Sequence, residues 1–270
     1  MQLTLENDLM NDVLVLGIDP APAKKTVIFD GKEFIIKDHN ELIEYLKDHK
    51  NVLICWDAPL TGPHGCKKNV TNAFSQRPIE AFFTRSHKKY DFKVPKGISV
   101  MGYSGCPHWA ITKSVLGLPI IGKYEQEIKM PFMLITSKEE NIIKSVVEVH
   151  PAVAIWLWCK EDLPKEMTWL YKSDRVTFGI ILEKLATKKI ISTEIKNMFD
   201  AILEKNKAKI PDDYLDAYIA WYLGNQFLHN TPIHPVALIG NVNTGAWLLP
   251  NIDNRLASAF DKFIKENECE

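Results

Sequence analysis

Asp19, Asp57, Glu148 and Asp216 are acids set where the apolar patterning of the chain demands burial, and Asp213 stands one helical turn before the last of them. A charge placed against a core is costly unless something compensates it. Asp19 closes the run Val13-Leu14-Val15-Leu16-Gly17-Ile18, Asp57 closes Val52-Leu53-Ile54-Cys55-Trp56, and Glu148 interrupts Val146-Val147-Glu148-Val149-His150-Pro151. Carboxylates brought together repel one another and hold protons at neutral pH when left alone. Mg²⁺ or Mn²⁺ reverses that balance, because hard cations take oxygen ligands and complete their shells with water and substrate phosphate. A pair of such ions activates an attacking water and stabilises the leaving oxygen of a phosphodiester. On this reading Asp19 bridges the ions, Asp57 and Glu148 complete one shell, and Asp213 with Asp216 completes the other. Gly17 shares a strand face with Asp19 by period two and would leave room at the site. Singly, these acids have plainer uses. Asp19 and Asp57 precede prolines and suit turns, while Asp212 and Asp213 suit the start of a helix.

The runs ending in Asp19 and Asp57 are too apolar for half-exposed strands, so they read as central strands over 13–19 and 52–57. Between them, short strands near 26–30 and 33–37 flank Asp30-Gly31, a strong hairpin signal, and a helix covers about 39–48. The order predicts an antiparallel meander, a helix, and a strand returning parallel to the first. Over 59–130 the periodicity fails while Pro, Gly and basic residues rise, which reads as an insertion at the exit of the fourth strand. Insertions there build or cover sites. Ser137 and Glu140 have capping-box spacing ahead of the strand with Glu148. Beyond it, Phe178, Ile181, Leu182 and Leu185, then Ile195, Met198, Phe199 and Ile202, keep helical spacing. A helix over about 212–228 puts Asp213, Asp216, Ala217, Ala220 and Gly224 on one face, small enough to lie close to a sheet. The segment 236–250 reads as a hairpin through Asn243-Thr244-Gly245.

The insertion carries Lys67, Lys68, Arg77, Arg85, Lys88, Lys89, Lys93 and Lys96 against only Glu80 and Asp91 between 64 and 97. Phe74, Phe82, Phe83, Tyr90 and Phe92 are interleaved, a mix suited to phosphates and stacked bases. The expectation is that this stretch grips DNA or RNA beside the acids, with Arg77 and Arg85 as phosphate clamps and Lys67 and Lys88 in support. The alternative is a solvated loop whose aromatics pack inward. His64, Cys66, Cys106 and His108 contain a Zn²⁺ ligand set of uncommon spacing, for which ordinary loop residues are the simpler reading. His150 shares a face with Glu148 and could assist proton transfer, or simply pack. Trp156, Trp158 and Trp169 read as core.

With 270 residues and 46% hydrophobic content, the chain can bury a sizeable core as one domain with an insertion. The net charge of -1 gives no global pull toward a polyanion, so nucleic-acid binding must come from local patches. Five scattered cysteines suggest reduced thiols. No apolar run approaches the ~20 residues of a membrane span, and no signal-peptide succession opens the chain. A soluble, cytoplasmic protein is expected. Its oligomeric state is open, a homodimer included.

Val15-Leu16-Gly17-Ile18-Asp19-Pro20 before a hairpin resembles the first strand of the Holliday-junction resolvase RuvC, and Asp213-Tyr214-Leu215-Asp216-Ala217 is similar to its Asp-x-x-Asp-Ala helix. The whole chain resembles more closely the predicted-nuclease family of the ribonuclease-H-like superfamily, the domain of unknown function numbered 429. Trp56-Asp57-Ala58-Pro59-Leu60, Arg77-Pro78 with Arg85, Val147-Glu148-Val149-His150-Pro151, Leu215-Asp216-Ala217 and Ala246-Trp247-Leu248-Leu249-Pro250 carry that likeness. It implies an α/β fold with a mixed five-stranded sheet, order 3-2-1-4-5, flanked by helices, and a metal-dependent nuclease. Ala21 stands where RuvC has Gly, and Asp57 where it has Glu; RuvC also lacks the insertion. Two other classes remain in view: an actin-like ATP phosphotransferase, which needs Gly-rich phosphate turns that Ala21-Pro22-Ala23-Lys24-Lys25 does not supply, and a binding protein that kept the fold without the chemistry.

Overall fold

The computed structural model describes residues 13–61, 76–85, 90–100, 108–116, 132–136, 144–164, 166–205, 209–251 and 255–267. Its centre is a mixed six-stranded sheet flanked by helices, an α/β architecture. Leu14–Asp19 (β1) pairs antiparallel with Thr26–Phe29 (β2), which pairs antiparallel with Phe34–Lys37 (β3). Gly31, at φ +95°, takes the left-handed turn position that the Asp30-Gly31 signal requires. His39–Asp48 (α1) follows, and Asp38 with Glu41 forms its capping box. Val52–Trp56 (β4) then returns parallel to β1, with Leu16 beside Ile54. Both strands are buried along nearly their whole length, as their unbroken apolar runs demand.

Ser145–Glu148 (β6) lies parallel to β4 on its far side, and the two-residue strand Met133–Leu134 (β5) adds to the outer edge of β6. The order is therefore β3-β2-β1-β4-β6-β5, one strand more than the five expected. Two residues carry no periodicity from which a strand can be read. The 59–130 stretch contains two helices, Pro78–Arg85 (α2) and Trp109–Val115 (α3), where no regular structure was expected. The capping signal at Ser137 and Glu140 lies outside the described residues.

Pro151–Cys159 (α4) is buried on every side, and its Trp156 and Trp158 belong to the core with Trp169. Arg175–Thr187 (α5) and Thr193–Lys205 (α6) bury Phe178, Ile181, Leu182, Leu185 and Phe199, following the spacing in the sequence. Asp212–His229 (α7) lies along β1, and Val236–Asn241 (β7) pairs with Gly245–Pro250 (β8) in the expected hairpin. Arg255–Glu266 (α8) was not anticipated, although Leu256, Phe260 and Phe263 supply a buried stripe at helical spacing. No helix among the described residues is long and apolar enough to cross a membrane.

The contact between α7 and β1 decides where the acids meet. A Cβ on Gly17 would sit 2.1 Å from the Ala217 carbonyl oxygen and 2.2 Å from the Trp221 amide nitrogen, and one on Gly224 would sit 2.2 Å from Cys55 Sγ. Gly17 thus makes room for helix backbone. This corrects the expectation that it clears space at the acidic site itself.

Candidate active site

β1, β4 and β6 are mutually parallel, so Asp19, Asp57 and Glu148 emerge at one edge of the sheet. The Asp57 amide extends that ladder by donating to the Ile18 carbonyl at 3.1 Å. Across the edge, the close seating of α7 brings its first turns up to β1. Asp19, Asp57, Asp212, Asp213 and Glu148 line one cleft of about 270 Å³, together with Lys24, His108, His150, Tyr171 and Lys172. Asp216 is fully buried, donated to by Tyr171 Oη at 2.7 Å and paired with Lys172 Nζ. Lys24 Nζ pairs in the same way with Asp213 Oδ2.

Burial and then the charges of Asp216 and Asp57 raise the Asp19 carboxyl well above its usual range. Asp57 is pushed up to about 8, by burial first and by Asp216 next. Asp212 is raised to about 6 by burial and by Asp216 and Asp213. Burial works to lower Lys172, but the carboxylate of Asp216, with Tyr171, Asp57 and Asp19 behind it, outweighs this and raises it well above an ordinary lysine. His108, at the start of α3, is held below the ordinary histidine range by burial and by the two ammonium groups. His150 is pushed down to about 3 by burial and stays neutral; its Nδ1 has no hydrogen-bond partner and its ring packs 4.7 Å from that of Trp247. The packing alternative for His150 is the one found.

Glu148 and Arg77 depart from their expected roles. Glu148 Oε1 accepts from Trp247 Nε1 at 2.6 Å and from Arg77 Nη2 at 2.5 Å, while Oε2 accepts from Leu60 N and Arg77 Nη1, both at 2.8 Å. Those donors use the four acceptor positions of a carboxylate, leaving none for a metal ion. Glu148 is therefore an anchor, and its assignment as a metal ligand and catalytic group is corrected. Arg77 is 0% exposed. Its remaining donors reach Glu80 and the Thr61 hydroxyl and carbonyl. It is no surface phosphate clamp. Gly245, where a Cβ would lie 3.0 Å from Arg77 Nε, leaves the guanidinium its space. Arg85 is exposed at the end of α2. Phe82, Phe83 and Tyr90 are core residues packed on Phe260, Trp247 and Phe263, and buried Phe92 packs on Phe82, so the inward-packing alternative holds for them. Lys67, Lys88, Phe74, His64, Cys66 and Cys106 lie outside the described residues.

Carboxylate oxygens from Asp19, Asp57, Asp213 and Asp216 suit a hard divalent cation by the chemistry of the donors. Among the described residues, however, no three His, Cys, Asp or Glu side chains converge closely enough to enclose one as they are placed. The partners these acids have are ammonium groups: Lys24 sits on Asp213, with Lys209 Nζ 3.6 Å from the same carboxylate oxygen, and Lys172 sits on Asp216. Neither Lys24 nor Lys172 stands out in the sequence; each lies in an irregular segment and only folding gives it a carboxylate partner. Tyr171 was missed for the same reason. Compared with known proteins, the chain matches no family model, no curated protein and no solved structure.

Proposed function

We propose that this protein is a divalent-cation-dependent phosphodiesterase acting on nucleic acid, built on a ribonuclease-H-like variant of the α/β fold. The observation that carries the reading is an excess of acids at one cleft. Asp19, Asp57, Asp212 and Asp213 line it from β1, the end of β4 and the start of α7, and Asp216 is buried close enough for its charge to raise Asp19 and Asp57, while among the described residues Lys24 and Lys172 line the same cleft. Mg²⁺ or Mn²⁺ matches these oxygens, and Asp19, Asp57, Asp213 and Asp216 are the residues that would hold it. Such a cation supplies an activated water and neutralises charge on a phosphodiester under attack.

The remaining tasks belong to the chain's own residues. Tyr171 donates to Asp216 Oδ1 and fixes the orientation of that carboxylate. His108, neutral and bordering the cleft, is suited to move a proton at a ring nitrogen. Glu148, locked by Arg77 and Trp247, holds the end of β6 and the β7–β8 hairpin at the floor of the cleft. Exposed Arg85, Lys93 and Lys96 in the insertion, with Lys67 and Lys88, are the candidates for gripping the phosphate backbone. The strand order β3-β2-β1-β4-β6-β5, with acids on β1, after β4 and on α7, supports this reading, with one strand more than the family resemblance implies.

The lysine pairing of Asp213 and Asp216 favours a second reading, a nucleic-acid- or protein-binding member of the same fold without chemistry. The two are separated by Mn²⁺-dependent cleavage of single-stranded, duplex and branched DNA and RNA, comparing the natural protein with Asp19→Asn and Asp216→Asn. Cleavage by the natural protein that is abolished in both variants is expected; no cleavage by any of the three proteins, or the same residual cleavage in all three, sinks the nuclease and leaves the binding protein.

A further inference from the structure

α4 starts beside His150, which lines the acidic cleft, and ends at Lys160, roughly 15 Å away along the helix. At that far end two cavities of about 490 and 500 Å³ share Asp91, Phe92, Lys160 and Arg255, forming one groove between α4 and the start of α8. Among the described residues that line it, Lys160, Lys188, Arg255 and Lys262 stand against Asp91 and Glu161. Lys188 is already paired with Asp162. The other three cations leave a local positive excess in a chain whose net charge is -1.

Lys160 decides what the groove can hold. Its side chain is only 16% exposed, and its ammonium lies 4.9 Å from the centroid of the Phe92 ring and 5.4 Å from that of Trp156. Two ring faces hold the charge in place, yet they do not accept its three N–H donors as oxygen atoms would. Among the described residues the carboxylate within reach is Glu161 Oε1 at 3.7 Å, beyond hydrogen-bond distance and on a side chain 79% exposed. The ammonium is therefore fixed and keeps donor capacity for a ligand. A cation at the end of α4 also suits the helix dipole, but Arg255 has no such explanation. It is the first residue of α8, where the dipole disfavours a cation, and no acid stands in that first turn. A phosphate in the groove answers both features, because an arginine fork and ammonium groups are the donors that phosphate takes.

We propose that this groove binds the phosphates of a nucleic-acid strand through Lys160, Arg255 and Lys262. The preference for phosphate rests on the groove's own residues; that a nucleic-acid strand carries the phosphate rests on the reading above. A stacked strand passing the acidic cleft spans the distance in about four or five nucleotides, at ~3.4 Å each. None of the three residues lies in the basic insertion, and Phe92 of that insertion serves here by holding a cation.

The test is fluorescence anisotropy of labelled single-stranded DNA and RNA oligonucleotides in EDTA, so that no metal-dependent cleavage intervenes. They are titrated with the natural protein, Lys160→Gln, Arg255→Gln, Lys262→Gln and Lys265→Gln, the last an exposed lysine of α8 outside the groove. Counter-ion release gives each contact with a strand phosphate about 0.7 in the slope of log affinity against log salt, or about fivefold in affinity near 0.1 M salt. Each groove substitution is expected to lose about that much in both readings, and Lys265→Gln to lose neither. The slope separates a phosphate contact from lost packing, which weakens binding without changing the number of ions released. Arg255 and Lys262 are exposed, so their variants read the groove even where Lys160→Gln is destabilised. Unchanged slope and affinity in those two variants, an equal loss in Lys265→Gln, or no binding by the natural protein overturns the proposal. Phosphatidylserine vesicles bound more tightly than either oligonucleotide through the same three residues would give the groove to a lipid headgroup and overturn it as well. Metal-free binding that responds as expected, in a protein that cleaves nothing, supports the groove and removes the nuclease alone; cleavage with binding indifferent to the groove substitutions removes the groove alone.

Discussion

Replacing Arg77 by Met separates a phosphate clamp from a structural bolt. The guanidinium lies between Glu80 and Glu148, whose side chains are 0% and 4% exposed, and it is the partner of both. Burial works to lower Arg77, but the two carboxylates outweigh that and hold it charged. Methionine keeps much of the volume and removes the charge, leaving two acids facing each other out of contact with water. Breaking a buried ion pair from one side costs about 3–5 kcal/mol, against a total stability of ~5–15 kcal/mol for an ordinary domain. The loss is also structural in reach, because the same side chain ties Thr61, α2, β6 and, through Glu148, Trp247 of β8. Guanidinium unfolding followed by tryptophan fluorescence reads the effect directly. Burial already raises Glu80 against the lowering effect of Arg77, so the variant removes that lowering effect, the folded state takes up a proton at Glu80, and the deficit shrinks as pH falls. A loss below ~1 kcal/mol with an unaltered pH profile would refute the bolt and return Arg77 to the ligand-binding candidates.

Gly17→Ala should cost about 3 kcal/mol or more, because the new methyl meets helix backbone at 2.1 Å and α7 must move; a midpoint shift under ~1 kcal/mol would show that α7 is seated less closely. Asp57, raised to about 8 in the folded protein, makes the folded state bind more protons than the unfolded state between the ordinary aspartate range and pH 8. Metal-free protein therefore loses stability over that interval as pH rises. Asp57→Asn should flatten the slope and raise the Tm more at pH 8 than at pH 5, and equal shifts at both would contradict the assignment.

Much of the sheet was legible because its strands are extreme in composition. The unbroken apolar runs of β1 and β4 admit only central strands, Asp30-Gly31 only a hairpin, and the small-residue face of α7 only close packing. β5 was illegible at two residues, and α2 was masked by a basic, aromatic stretch whose composition suits a nucleic-acid surface equally well. Phe82 and Phe83 show the limit of that inference. Composition records that aromatics are present and says nothing of whether their partner is a base or Phe260.

By itself the sequence determined that Asp19, Asp57, Glu148 and Asp216 would be held against a core at the ends of strands or inside a helix, since patterning with period two or 3.6 is a local property of the chain. Only the tertiary structure decided what neutralises each one. Arg77 is 71 residues from Glu148, Lys172 is 44 from Asp216 and Lys24 is 189 from Asp213. A charge is compensated through space, and Coulomb attraction at contact distance has no signature along the chain that brings the partners together.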